Sequence, residues 1–262
     1  MSYQSIELTV ADGLARLTLT QPKAGNPFNA EFCREICEVA NELSGRADVR
    51  AILLTAQGRF FSVGGDIDMF VKTLDTLPNS IREWTSTLHM GVARLQRLDA
   101  PIVVAIHAAC MGGGVALVAG CDVVVAGKSA RFGAAYPQIG YSCDAGASFT
   151  LASRMGIARA RRFMLFNEML DAETALSVGL ADHVVEDDQV QAEAERLAIQ
   201  LSQGPTRAFG EIRRLINNSM RQPFESQLED EAQALSRVAG SEDAREGIMA
   251  FAEKRKSRFQ GR

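Results

Sequence analysis

The chain has 262 residues, and 28 Lys plus Arg against 32 Asp plus Glu give a formal net charge of −4. With 47% hydrophobic and 23% charged residues, the composition is that of a globular protein and excludes a disordered or fibrous chain. The mildly acidic balance and the 6% aromatic content argue against nucleic acid or an anionic membrane surface as a partner.

The first elements follow from apolar periodicity. Alternating apolar residues on either side of the Asp12-Gly13 turn predict a β-hairpin. Helical spacing of apolar residues over 32–43 predicts a helix, with Asn29 or a neighbour as its N-cap. The continuous apolar run at 51–54 predicts a strand buried on both faces, and a long helical pattern occupies 84–95.

The uncharged stretch 100–121 is long enough to span a bilayer. However, Pro101, His107 and the three glycines at 112–114 favour a strand, a turn and a glycine-started helix instead. A further strand is predicted at 123–125, and after Leu151 the pattern is nearly all helical. We therefore expect an α/β core over residues 1–188 and a helical C-terminal module over residues 189–262.

The five cysteines also bear on location. Their number is odd and they form no CxxC pair, which predicts reduced thiols and no zinc site. The first residues lack both the basic start and the apolar region of a signal peptide. We therefore expect a cytoplasmic protein that contains no membrane segment and no metal.

Two glycine-bearing loops, 60–67 and 111–115, share one design. Each follows a buried strand and leads into a helix, whose free N–H groups would suit an oxyanion. Tight packing of a helix on a strand explains the glycines equally well, so spacing alone leaves both interpretations open. A dinucleotide site is disfavoured because Leu117 stands where the third glycine of that motif belongs, and no GxxxxGK phosphate loop is present.

Taken together, the segments 60–67, 101–122, 130–146 and 169–185 resemble the enoyl-CoA hydratase/isomerase family, the crotonase superfamily. The resemblance extends from the hairpin to the tail at 251–256. It implies an α/β fold of the crotonase type, a spiral of ββα units with a helical C-terminal oligomerisation region. It also implies a homotrimer or dimer of trimers and an acyl-CoA substrate, with no separate cofactor.

The resemblance assigns roles to individual residues. It places an oxyanion hole at the backbone N–H groups of Gly65 and Gly113, which would stabilise the enolate formed when a thioester loses its α-proton. For CoA binding it points to Lys23, Ala24, Gly64, Asp66, Ile67, Phe251 and Lys254. Lys254 is explained equally well as a cation at a helix C-terminus.

Departures from the family pattern are informative. Hydratases of the family carry two glutamates, and the matching positions here hold Ala116 and Tyr136. A carboxylate stands instead at Asp144, as in the family's double-bond isomerases and hydrolytic aryl-CoA dehalogenases. Asp144 fits the N-cap of the following helix on pattern alone. With the resemblance, we expect it to be the catalytic acid/base, with Tyr136 in the substrate site.

His89 matches the position of a water-activating histidine in the dehalogenases, and is otherwise typical of a packed or rim residue. We expect a structural role for Asp122, and a solvated face or subunit contact for the arginines at 159, 161 and 162. Leu88 and Tyr136 suggest a pocket poor in aromatic rings, which disfavours aryl chemistry.

The sequence thus predicts an enoyl-CoA isomerase that uses one aspartate. The alternatives are an enoyl-CoA hydratase, an aryl-CoA dehalogenase-like enzyme and a non-catalytic acyl-CoA-binding protein.

Overall fold

The apolar runs of the sequence form a six-stranded sheet in the computed structural model, which describes residues 3–262. Its strand order is β1-β2-β3-β4-β6-β9, and every neighbouring pair is parallel except the β1–β2 hairpin. A second sheet has the order β5-β7-β8. The strands are β1 (Ile6–Ala11), β2 (Leu14–Leu19), β3 (Ala51–Ala56), β4 (Ile102–Ile106), β5 (Ala109–Met111), β6 (Val123–Gly127), β7 (Arg131–Gly133), β8 (Met169–Asp171) and β9 (His183–Val185).

Eleven α-helices surround the sheets in the described part of the chain. They are α1 (Ala30–Ser44), α2 (Ile67–Lys72), α3 (Leu77–Leu95), α4 (Gly113–Ala119), α5 (Ala147–Met155), α6 (Ile157–Leu165), α7 (Ala172–Ser177), α8 (Val190–Ser202), α9 (Thr206–Ser219), α10 (Phe224–Ala239) and α11 (Glu242–Ala252). Asn29 caps α1 as predicted, since its side chain accepts a hydrogen bond from the Phe32 N–H.

Both faces of the large sheet are covered, which explains why its strands read as continuous apolar runs. On one face, β2, β3 and β4 pack against α1, α3 and α4 in the main core. On the other, Val190, Ala194 and Ala198 of α8 pack against Leu53 and Val103. Helix α8 thus lies on the sheet, although it belongs to the segment that we expected to form a C-terminal module; the boundary at residue 188 stays a prediction.

The expectation of an almost wholly helical chain after Leu151 was wrong at two places. Strand β8 joins the small sheet, and β9 adds a parallel edge strand beside β6. Each is three residues long, which is too short for a period-2 pattern to emerge from the sequence.

Asp122 ties the C-terminal helices to the core. Its carboxylate accepts hydrogen bonds from the Ile102 N–H at 2.7 Å and from the buried guanidinium of Arg213, on α9, at 2.8 Å. The expected structural role of Asp122 is therefore confirmed. In the predicted arginine cluster, Arg159 and Arg162 both pair with Glu168. Across residues 3–262, no helix is both long enough and apolar enough to cross a membrane.

Candidate active site

The two glycine loops meet at the carboxyl ends of β3 and β4. Ser62 pairs with Cys110 in a parallel bridge, and the Met111 N–H donates to the Ser62 carbonyl at 2.9 Å. Gly64 and Gly112 both have positive φ, and a Cβ built on Gly64 would lie 3.1 Å from the Met111 carbonyl oxygen. Glycine is favoured at this crossing because L side chains rarely adopt these positive φ values and because a Cβ on Gly64 would crowd the facing backbone.

The N–H groups of Gly65 and Gly113 are free for a ligand. Within residues 3–262, neither N–H has a hydrogen-bond acceptor, and both residues line one cavity of about 730 Å³. A phenyl ring backs each glycine: a Cβ on Gly65 would lie 2.8 Å from Phe70 Cζ, and one on Gly113 would lie 2.7 Å from Phe28 Cδ2. Two prepositioned N–H donors in one cavity suit a thioester oxygen that gains negative charge.

The sequence analysis missed two buried polar residues that hold these loops. The Asn26 side chain donates to the carbonyl oxygens of Gln57, Phe60 and Phe61 at 2.9–3.1 Å. The Ser62 hydroxyl donates to the Asn26 carbonyl at 2.8 Å and accepts from the Gly64 N–H at 3.1 Å. The available signal was an Asn within the turn-rich stretch 21–27, since Asn adopts positive φ more readily than most residues; in the structure Asn26 is buried and has a φ of +53°.

Asp144 points into the same cavity. Its Oδ1 accepts a hydrogen bond from the Tyr136 hydroxyl at 3.0 Å. The N-cap of α5 is Gly146, and no side chain bonds to that helix end. The capping interpretation of Asp144 is therefore wrong, because its side chain serves the cavity instead. Ala145 and Gly146, both with positive φ, form the turn after Asp144.

Burial controls the ionisation of this cluster. Desolvation raises the pKa of Asp144 above its usual value, against the opposing effect of the Tyr136 hydrogen bond. Desolvation and the Asp144 charge also raise the pKa of the Tyr136 hydroxyl. The same two causes raise the pKa of Cys33, another residue of the cavity, to about 12. Both groups therefore remain protonated and neutral beside the carboxyl group.

His89 contacts the backbone after Asp144. Its Nε2 accepts a hydrogen bond from the Ala145 N–H at 3.1 Å, so this nitrogen carries no proton and the neutral ring has its proton on Nδ1. Nε2 is therefore engaged by the backbone of the residue that follows Asp144. The sequence analysis had not foreseen that His89 would hold the Asp144 turn.

Aromatic rings line the cavity more richly than we predicted. Phe70, Trp84 and Tyr141 all face it, in addition to Tyr136 and Phe28. The expectation of a pocket poor in rings was therefore wrong. The signal was hidden because Phe70, Trp84 and Tyr141 come from α2, α3 and a loop far apart in sequence, so no local pattern unites them.

A second cavity of about 580 Å³ adjoins the first, sharing Val63, Gly65 and Ile67 with it. Of the residues predicted to bind CoA, Ala24, Asp66 and Ile67 line this cavity, and Gly64 lines the first. The Asp66 carboxylate also caps α2 by accepting from the Met69 N–H at 2.9 Å.

The structure does not bring the other predicted CoA residues to either cavity within one chain. Lys23 is exposed beside Ala24. Phe251 is 87% exposed at the end of α11, and Lys254 follows that helix.

Comparisons with known proteins agree with this geometry. A family model described as enoyl-CoA hydratase/isomerase matches residues 9–262. The chain is 34% identical to a Rhodobacter capsulatus protein named "Probable enoyl-CoA hydratase", with 100% of both chains covered. It is 33% identical to the 1,2-epoxyphenylacetyl-CoA isomerase of Escherichia coli, with 97% of both covered. A crystal structure of an enoyl-CoA hydratase from Polaromonas sp. JS666 superposes with a TM-score of 0.91 at 27% identity, covering 97% of this chain and 99% of the other.

The fold and the paired glycine loops agree with the family model, which matches nearly the whole chain. This protein therefore has the crotonase fold and belongs to the enoyl-CoA hydratase/isomerase family.

Proposed function

We propose that this enzyme is an enoyl-CoA isomerase, in which Asp144 moves one proton between C2 and C4 of an unsaturated acyl-CoA. One observation carries the proposal. Among the described residues, Asp144 is the sole carboxylic acid lining the cavity that also holds the free N–H groups of Gly65 and Gly113. A single carboxylate suits a 1,3-proton shift because the group that removes the proton can return it to the other carbon.

The reaction balances with these groups alone. The Asp144 carboxylate removes a proton from C2 of a 3-enoyl-CoA, and the electron pair moves onto the thioester oxygen. The N–H groups of Gly65 and Gly113 stabilise that enolate. The protonated Asp144 then delivers the same proton to C4 as the double bond forms between C2 and C3. No metal or redox step enters this sequence, and the raised pKa of Asp144 suits a group that acts as base and then as acid.

Hydration of an enoyl-CoA is the second candidate, and the names of several relatives favour it. Adding water across the double bond uses one group to activate the water and another to protonate C2. Ala116 is a buried residue of α4 and has no acid–base group, and the Tyr136 hydroxyl is engaged in donating a hydrogen bond to Asp144. Relatives from Streptococcus mutans and E. coli are named isomerases, which supports the first candidate.

The aromatic rings of the cavity favour the aryl-CoA dehalogenase alternative, but His89 is not available as its base. In that chemistry the Asp144 carboxylate displaces a halide ion from the ring to form an aryl ester, and His89 activates the water that hydrolyses this ester. His89 Nε2 is instead engaged by the Ala145 N–H. A purely acyl-CoA-binding protein is disfavoured as well, because binding alone gives no reason to bury a carboxyl group beside two oxyanion donors.

We propose that the CoA portion occupies the second cavity, next to Ala24, Asp66 and Ile67. This cavity opens from the oxyanion loop, so a thioester held there can extend its CoA in one direction and its acyl group in the other. Lys23, Phe251 and Lys254 remain candidates for contacts with the CoA phosphates and adenine.

We also propose a homotrimer or a dimer of trimers. The C-terminal helices expose large apolar side chains that a partner surface would cover, including Ile216, Phe224 and Leu235. Light scattering coupled to size-exclusion chromatography tests this directly: a trimer or hexamer is expected, and a monomer at micromolar concentration would contradict it.

The activity is tested by offering the purified enzyme two substrates side by side. We expect 3-hexenoyl-CoA to be converted to the conjugated 2-hexenoyl-CoA. The conversion is monitored by the increase in absorbance of the conjugated thioester. With crotonyl-CoA we expect hydration to be slower by at least about 10²-fold, the lower end of what acid–base groups contribute. Efficient hydration together with negligible isomerisation would overturn the assignment.

A further inference from the structure

Three aromatic rings form a continuous stack in the acyl cavity. The Phe70 ring lies between Trp84, at a centroid distance of 6.3 Å and an interplanar angle of 13°, and Tyr141, at 5.8 Å and 26°. We call Phe70, Trp84 and Tyr141 the aromatic wall. Its rings come from α2, from α3 and from the loop that leads to Asp144.

The aromatic wall begins at the reacting centre. The tip of the Phe70 ring packs against Gly65, where a Cβ would lie 2.8 Å from Phe70 Cζ. Tyr141 stands three residues before Asp144, and both line the cavity. Acyl carbons just beyond C2 and C3 therefore meet the aromatic wall, whereas a terminal methyl group far along a chain would meet it only after several flexible bonds.

The rest of the cavity lining is apolar or neutral. Ile81 and Leu88, which belong to α3 like Trp84, line the cavity, and so does Ile139. Within residues 3–262, no lysine, arginine or histidine lines this cavity, and Asp144 is its one acidic group. A substrate with a carboxylate at its far end would find no counter-ion here and would be repelled by Asp144.

A flat ring is expected to bind this surface more favourably than a linear acyl chain. Aromatic side chains prefer stacked or edge-to-face contacts with other flat rings, beyond the benefit of burial alone. A ring also has few rotatable bonds to immobilise, whereas every bond of a linear chain adds an entropic cost on binding. The cavity volume of about 730 Å³ lies in the range that accepts a group of this size.

We propose that the preferred acyl group carries an uncharged six-membered ring, aromatic or cycloalkenyl, attached close to the thioester. This inference rests on the proposed isomerase function and adds its substrate class. With cyclohex-1-enylacetyl-CoA, Asp144 removes the C2 proton, the ring double bond moves to C2–C3, and the proton returns to the ring carbon at C4. The product is cyclohexylideneacetyl-CoA, and the atoms balance without a co-reactant.

The decisive experiment compares that substrate with 3-octenoyl-CoA, which has the same number of acyl carbons. We expect kcat/KM for the ring substrate to exceed that for the linear one by about tenfold, because the ring packs on the aromatic wall and has fewer rotatable bonds to immobilise; tenfold corresponds to about 1.4 kcal/mol. Equal values, or a preference for the linear substrate, would overturn the proposal.

Variants of the aromatic wall sharpen the comparison. Trp84→Leu, which keeps an apolar side chain without the ring, is expected to lower kcat/KM for the ring substrate by about threefold to tenfold more than for the linear substrate. Tyr141→Leu, on an exposed loop, is expected to act in the same direction with little risk to folding. Equal losses for both substrates in both variants would contradict a stacking role.

Binding of unreactive analogues separates this proposal from the proposed function. The Kd values of phenylacetyl-CoA and octanoyl-CoA, which have the same number of acyl carbons, are measured by calorimetry and do not depend on any double-bond shift. Tighter binding of the ring analogue supports the ring preference even if the enzyme isomerises neither substrate, a result that would remove the isomerase assignment alone. Tighter binding of octanoyl-CoA would refute the ring preference even if 3-octenoyl-CoA is isomerised.

Discussion

The hydroxyl of Tyr136 donates a hydrogen bond to Oδ1 of Asp144 across a separation of 3.0 Å, at the position where hydratases of this family carry a glutamate. A group that activates water in those enzymes is thus replaced by one that holds the remaining carboxylate. The bond stabilises the ionised form of Asp144 and opposes the desolvation that raises its pKa.

Tyr136→Phe removes that donor while keeping the ring. Because the hydrogen bond lowers the pKa of Asp144, its loss is expected to raise that pKa further and to move the acid limb of kcat/KM against pH upward by about one pH unit. Tyr141→Phe is the matched control, since Tyr141 lines the same cavity without bonding to Asp144. An unchanged acid limb in Tyr136→Phe would mean that Asp144 is not the group that titrates.

Asp144→Asn is expected to stabilise the fold at neutral pH. The pKa of Asp144 is higher in the folded state than in the unfolded state. The stability that its bound proton contributes is therefore fully present at pH values below the unfolded-state pKa. That stability is lost as the pH rises through the folded-state pKa. Asn has the same shape, still accepts from Tyr136 and carries no charge. We expect Tm at pH 7 to rise by roughly 2–4 °C, the equivalent of about 1 kcal/mol, and the gain to vanish near pH 4.

The pH dependence distinguishes this effect from a general improvement in packing. Asp68→Asn, at an exposed carboxylate of α2, is the control and is expected to leave Tm within about 1 °C of the wild type. A gain for Asp144→Asn that persists unchanged down to acidic pH would refute the electrostatic explanation.

His89 is expected to act by holding the Asp144 turn. His89→Gln can still accept from the Ala145 N–H, whereas His89→Ala cannot. We expect His89→Gln to keep the isomerase kcat within about threefold of the wild type, and His89→Ala to lower it by about tenfold because the carboxyl group is less well positioned. Mass spectrometry of His89→Gln after incubation with a halogenated aryl-CoA is expected to find no adduct on Asp144; a stalled covalent aryl ester would instead favour the hydrolytic alternative.

The position of the Gly113 N–H depends on the absence of a side chain at this residue. Gly113→Ala places a methyl group 2.7 Å from the buried Phe28 ring, so the start of α4 must move and the donor with it. We expect kcat to fall by about 10- to 100-fold, since small displacements of an oxyanion donor are costly. Gly240→Ala, at a site where the nearest atom is 3.6 Å away, is the control; comparable losses of kcat in both variants would contradict the assignment.

Local signals in the sequence predicted much of the fold. The hairpin, the buried strands β3, β4 and β6 and the cap at Asn29 each follow from a pattern contained within a few residues. The short strands β8 and β9 lack such a pattern, and their place is determined by pairing with distant strands. The resemblance to a family, rather than periodicity, brought Asp144 together with Gly65 and Gly113 in the prediction.

The remaining features of the site depend on long-range geometry. The Tyr136–Asp144 bond needs the reversals at Ala135 and Gly140, both with positive φ, which no composition rule places there. The His89–Ala145 bond joins residues 56 positions apart. Cys33, one of the five cysteines predicted only to be reduced thiols, lines the cavity from α1, which packs against α3.

The most direct test of the account is the isomerisation rate of Asp144→Asn on a 3-enoyl-CoA, measured beside the wild-type enzyme. We expect kcat to fall by about 10²–10⁴-fold, the range that a positioned acid–base group contributes, while the Kd of a saturated acyl-CoA changes by less than about threefold. If Asp144→Asn retained most of the wild-type kcat, the proton would be moved by another group and the mechanism proposed for this cavity would be wrong.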